Sequence, residues 1–151
     1  MNRMLSNCRK VFMVLLSICL FSMSIQSVVY ANEETTIKIP DTAAGIWTDI
    51  DEHTTAIDKL IASNQLTTIH AHAFAIRDLI NALPEKSQDL SADQLTILKR
   101  DTSYVDQLAI RLDKTGDAND KDGTAISFNK LKKILDQIRA NYKLTSTLNN
   151  K

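Results

Sequence analysis

Three imidazoles, His53, His70 and His72, are the chain's whole supply of nitrogen ligands of the kind that hold a first-row metal such as zinc or copper. His53 falls between Ile50 and Ile57 in an apolar stripe, where a polar ring has to find a hydrogen bond or a ligand. His70 and His72 are two residues apart, about 200° around a helix, so they do not chelate one ion together. Pairing His53 with one of them means crossing from one helix to the next. A turn centred near Asn64 sets His53 opposite Ile76 and leaves it about six residues, or ~9 Å, out of register with His70. A direct pair then requires an asymmetric turn or a second copy of the chain. Asp49, one turn before His53 on the same face, is placed to orient the ring or to join it as a ligand.

Other chemistries lack their residues. Both cysteines (Cys8, Cys19) and all four methionines lie in the first 23 residues, which leaves no thiolate, disulfide or thioether further along. Haem is therefore disfavoured, since neither a Cys-x-x-Cys-His attachment nor a methionine ligand is on offer beyond the leader, and only a bis-histidine haem remains. No Glu-x-x-His pair of the di-iron bundles occurs, and neither does a Gly-x-Ser-x-Gly elbow or a phosphate-binding glycine loop, so the expectation is a protein that is not an enzyme. Asp117, Asn119, Asp120, Asp122 and Gly123 invite comparison with a calcium loop. Counted from Asp117, however, Lys121 stands at the fifth position, Asp122 where glycine must turn, and Phe128 where a bidentate glutamate is required. A solvated linker is the expectation there.

The elements that must position the histidines begin after a leader. Arg3, Arg9 and Lys10 precede an apolar run from Val11 to Tyr30, and Val29-Tyr30-Ala31 fits a cleavage site before Asn32. Residues 1–31 are thus expected to be a signal peptide that delivers the chain to the periplasm or outside the cell, with no membrane attachment after cleavage. An uncleaved anchor is the alternative, because the run is long enough to span a bilayer. Three of the 18 basic residues and none of the 18 acidic ones lie in this leader, so the exported part carries a net charge of −3 with histidines neutral. Phosphate binding wants concentrated positive charge, and a nucleic-acid partner is disfavoured.

Residues 32–40 read as an unpacked, flexible lead-in ending at Pro40, and Asp41 as an N-cap. Ile46, Ile50, His53, Ile57 and Leu60, with Trp47 and Ile61 beside them, specify a helix from about Thr42 to Ser63. After the polar turn Ser63-Asn64-Gln65, the stripe Leu66, Ile69, Ala73, Ile76, Ile80 and Leu83 makes a second helix that Pro84 ends. Ser91 and Gln94 form a capping box, with Leu90 and Leu95 as its hydrophobic staple, so a third helix starts at Ala92. It runs through Leu98, Val105, Leu108 and Leu112, with Tyr104 and Ala109 alongside, to Gly116, where a left-handed cap is expected. A polar loop from Thr115 to Thr124 precedes a fourth helix carrying Phe128, Leu131, Ile134, Leu135, Ile138 and Tyr142, and residues 144–151 are expected to be a flexible tail. Four amphipathic helices on short connections predict an all-α fold, an antiparallel up-down-up-down four-helix bundle over residues 41–143.

The residues Trp47-x-x-Ile50-x-x-His53, His70-x-x-Ala73-x-x-Ile76-Arg77-Asp78-Leu79, Ala82-Leu83-Pro84 and Gly116-Asp117-Ala118-x-Asp120 resemble those of small exported helical proteins associated with heavy-metal efflux systems. The resemblance covers about Ala44 to Tyr142 and implies metal binding or a role in metal stress. Leu90-Ser91-x-x-Gln94 is also similar to the Leu-Thr-x-x-Gln motif of Spy/CpxP-type periplasmic stress proteins, although it occurs once here and the net charge of −3 departs from their basic concave surface. Two functional expectations follow. One is a metal-binding accessory holding zinc or copper through His53 and His70 or His72, aided by Asp49, with efflux proteins as partners. The other is a metal-free interaction or chaperone-like module, dimeric and linked to envelope-stress proteins.

Overall fold

The computed structural model describes residues 37–148, with side chains described as far as Asn141. The leader expected at residues 1–31 and the proposed cleavage after Ala31 lie outside the described residues. Those residues are all-helical: α1 Ala43–Ala62, α2 Ile69–Ala82, α3 Ala92–Asp117 and α4 Lys121–Leu148, with 3-10 turns at Leu66–Thr68 and Leu83–Lys86. No strand occurs among them, and none of the described helices is long and apolar enough to cross a membrane.

Each helix starts or stops for a local reason. The Thr42 hydroxyl, rather than Asp41, caps α1 by accepting from the Gly45 N–H at 3.1 Å. The expected capping box is present at α3, where Ser91 Oγ accepts from Gln94 N–H and Gln94 Oε1 accepts from Ser91 N–H. Pro84 sits in the first turn of a 3-10 segment that follows the end of α2 at Ala82, since it has no N–H with which to continue the α-helix. The expected ten-residue linker between α3 and α4 contracts to Ala118–Asp120. Asp120 is the reason. Its carboxylate accepts from Gly123 N–H at 2.9 Å and its carbonyl from Thr124 N–H at 2.9 Å, which starts α4 at Lys121.

Gly116 is not the left-handed cap the sequence suggested. It lies inside α3 and is buried, while the positive φ that reverses the chain belongs to Asn119, as Asn64 supplies it after α1. A Cβ at Gly116 would come within 2.6 Å of the Leu66 carbonyl oxygen, so glycine is needed there for close approach of α3 to the turn before α2. Gly116→Ala should therefore destabilise the fold by about 1–3 kcal/mol despite alanine's better helix propensity. Thermal unfolding checks this, and a raised Tm would show that the approach is not limiting.

Consecutive helices pack on one another, and α1 also meets α4. Asp58 pairs with Lys132 and Asp51 with Arg139, so rising numbers on α1 meet falling numbers on α4. Leu66 meets Gly116 and Asn81 bonds Asp106 in the same opposed sense. Between them lies one core built from Ile46, Ile50 and Ile57 of α1, Ile69, Ala73, Ile76, Leu79 and Ile80 of α2, Leu98, Val105, Ala109 and Leu112 of α3, and Phe128, Leu131, Leu135 and Ile138 of α4. These are the expected stripes with Leu79 added to that of α2, and the side chain of Tyr142, expected in the last stripe, lies outside the described residues. Two departures concern the ends: Ile37 and Ile39 pack against the core, so this part of the lead-in is not unpacked, and α4 continues to Leu148, past the fraying expected from Leu144.

Candidate metal centre

His53 of α1 and His72 of α2 meet. Their Nδ1 atoms lie 2.9 Å apart, with ring centroids separated by 5.1 Å and planes tilted by 54°. Both rings are half-buried. The contact forms within one chain, and its partner is His72, not His70. Asn64 adopts φ 58°, and the 3-10 turn Leu66–Thr68 spreads three residues at ~2.0 Å each instead of 1.5 Å, which carries α2 about 1.5 Å further along its axis than an α-helical path would. The turn is thus asymmetric in the sense that moves the partner of His53 from Ile76 towards His72, and the 3-10 rise supplies about a quarter of that four-residue, ~6 Å shift.

The other candidates stand apart from the pair. His70 points away, as a two-residue spacing requires, and its Nδ1 lies 4.0 Å from Asp113 Oδ1 of α3 with half of the side chain exposed. Asp49 is half-buried one turn before His53, and among the described residues no hydrogen bond or ion pair joins the two. No group of three or more His, Cys, Asp or Glu suited to one metal ion occurs among the described residues. The pair is thus a two-nitrogen arrangement. The exposed Asp51 holds Arg139 through both carboxylate oxygens, and that guanidinium lies 4.5 Å over the Trp47 ring. The contact ties α4 to α1 on a different face of α1 from His53.

Two facing Nδ1 atoms at 2.9 Å permit two chemical states. In a metal-free pair, one imidazole donates from Nδ1–H and the other accepts through its lone pair, with that second ring's proton on Nε2. With both protons on Nε2, two lone pairs converge and a metal ion fits between them. Tetrahedral zinc at about 2.0–2.1 Å from each nitrogen sets ligand nitrogens ~3.3 Å apart, so a separation only a few tenths of an ångström wider than that observed suffices. A second proton on the pair places N–H against N–H and is incompatible with both states.

Burial, and next to it the charge of a protonated His53, hold the His72 pKa below the usual histidine value. The unfolded chain then binds this proton more tightly than the folded one. Stability from this group is unaffected above the ordinary histidine pKa near 6.5 and falls as pH drops through it. The Tm should be lower at about pH 5.5 than at about pH 7.5, and His72→Gln should narrow that difference. An equal pH dependence in the variant would assign the effect to other groups.

Of the loop residues, Asn119 reverses the chain with its positive φ and Asp120 starts α4. Asp120 is engaged in the α4 cap, and a Cβ at Gly123 would fall 2.2 Å from its Oδ2, so residue 123 is small to admit the capping carboxylate. Two features escaped sequence reasoning. Asp101 is buried in the α3 stripe and held by Arg100 through Nε and Nη2 at 2.9 and 2.8 Å. Gln94, besides closing its capping box, donates to the Asn141 carbonyl at 3.0 Å while Asn141 Nδ2 donates to the Gln94 carbonyl, which fastens α3 to α4. The i, i+1 spacing of Arg100 and Asp101 carries no signal of burial. Comparison of the chain with protein-family models, curated proteins and solved structures finds no match.

Proposed function

We propose that this protein is an exported, non-enzymatic helical accessory that binds a divalent zinc or copper ion through His53 and His72. The observation that carries this reading is the 2.9 Å approach of the two Nδ1 atoms across the α1–α2 interface. Imidazole suits both metals, and with both ring protons on Nε2 the two Nδ1 lone pairs converge on the ion. With two ligands from the chain, the other positions go to water or to donors of a partner. Such a site suits transient holding and transfer better than permanent storage, because structural zinc sites are closed by four protein ligands. The resemblance to proteins associated with heavy-metal efflux agrees with it, as does a sulfur-free exported domain that presents no competing thiolate.

In this reading the four helices form an antiparallel up-down-up-down bundle, for which the opposed pairings of α1 with α4 and of α2 with α3 speak. The leader directs it to the periplasm or the exterior, where efflux proteins are its partners. His70 and Asp49 stay outside the first coordination shell. Calorimetric titration of the protein from Asn32 onward with Zn²⁺ and Cu²⁺, with molecular mass followed by light scattering, tests the proposal. Saturable binding that is lost in His53→Ala and His72→Ala and kept in His70→Ala is expected. Absence of binding by the folded protein, or loss in His70→Ala alone, would overturn it and leave the metal-free interaction module, for which the exposed Ile97, Tyr104, Ile110 and Ile126 speak.

A further inference from the structure

On a different pair of helices, Arg100, Tyr104, Leu108 and Arg111 of α3 and Lys130, Lys133, Ile134 and Gln137 of α4 line a groove of about 530 Å³ together with Asp101 and Gln107. The α3 residues recur at four, four and three positions and the α4 residues at three, one and three, so each set forms one stripe facing the other across the groove. From Arg100 to Arg111 the groove is ~16 Å long at 1.5 Å per residue. Its volume lies within the roughly 300–1,000 Å³ of small-molecule sites.

The charge of this groove is opposite to that of the exported chain. The chain from Asn32 is net negative, yet four cations and one carboxylate line the groove, and that carboxylate, Asp101, is already taken by Arg100. Among the described residues no ion pair engages Arg111, Lys130 or Lys133. The uncompensated charge therefore sits towards the α3–α4 loop, while the Arg100 end is neutralised. Leu108 and Ile134 are only half-buried, and Tyr104 leaves half its surface to solvent. An apolar strip with a cationic cluster at one end matches a molecule with an anionic head and an extended apolar body.

We propose that the α3–α4 groove binds a small anionic amphiphile, with its phosphate or carboxylate head between Arg111, Lys130 and Lys133 and its apolar body along Leu108, Ile134 and Tyr104. Arginine suits the head because its planar fork binds such oxyanions through two parallel hydrogen bonds. The inference is independent of the metal site, which involves neither helix.

The test is titration of the full chain with dodecyl phosphate below its micelle concentration, read by calorimetry and by ¹H–¹⁵N amide shifts. One molecule should bind per chain, with shifts centred on residues 100–111 and 130–137. The Arg111→Glu/Lys130→Glu double variant should bind at least tenfold more weakly while its helical circular dichroism is unchanged, since both side chains are exposed. Leu108→Gln should also weaken dodecyl phosphate. Binding unaffected by the double variant, equal affinity for dodecyltrimethylammonium, or equal affinity for inorganic phosphate would each overturn the proposal. So would binding to phosphatidylglycerol vesicles with none to the monomeric amphiphile, since the surface would then recognise a membrane.

Discussion

His72→Ala is expected to cost more zinc affinity than the roughly 10–100-fold lost when an outer partner of a metal ligand is removed, because it deletes one of the two ligands of the proposed site. His53→Ala should cost as much, and the double variant little more than either alone, since neither histidine binds well without the other. That non-additivity separates a shared site from two independent ones. Isothermal titration at about pH 7.5 gives the affinities, and repetition near pH 5.5 should lower wild-type affinity as protons compete for the same lone pairs. Single variants that each lose less than about tenfold would place the ion elsewhere.

Phe128→Ala should destabilise the fold by about 3–5 kcal/mol, a third or more of the total stability of many domains. Phe128 is 1 % exposed and lies in the core near the start of α4, with the Lys132 ammonium 4.5 Å above its ring. Truncation leaves a cavity that the flanking helices cannot close, because the three-residue connection at one end of α4 and the Gln94–Asn141 bonds further along hold α4 against α3. The stabilising cation–π contact is lost as well, a contribution of about 0.5–1 kcal/mol. Urea unfolding followed by circular dichroism should show a lower midpoint at an unchanged slope. A loss below about 1 kcal/mol would mean that the core repacks around the gap.

The helices were legible because their signals are local and periodic. Ile46, Ile50 and Ile57, or Phe128, Leu131, Leu135 and Ile138, repeat every three or four residues and are buried as a set. The α3 start at Ala92 was equally plain, since Ser91 and Gln94 satisfy each other's backbone within four residues. Where a residue's task lies across the structure, its sequence neighbourhood is silent. Gly116 next to aspartate at a helix end looks like a chain-reversing cap, and only the Leu66 carbonyl pressed against it reveals a contact that admits no side chain. Likewise the linker between α3 and α4 looked long because Asp117 to Asp122 are polar, although Asp120 spends its polarity on starting a helix.

The histidines divide along the same line. Their spacing was enough to separate His70 from His72, because angular position on a helix depends on sequence alone. Which of them faces His53 depends on axial register, and that is set by Asn64 and one 3-10 turn whose conformation leaves no periodic trace. Register errors of a single turn are ~5.4 Å, enough to exchange one candidate ligand for another.

Trp47 is the chain's only tryptophan, and the Arg139 guanidinium covers it. Its emission therefore originates from a single place, the seam where the last helix meets the first, and undocking of α4 would change its colour and intensity without any introduced label. The same indole stands six residues, ~9 Å of helix, before His53. A paramagnetic copper ion held by the proposed histidine pair would quench it, whereas diamagnetic zinc would leave it bright, so binding of either metal there would be told apart by the protein's own fluorescence.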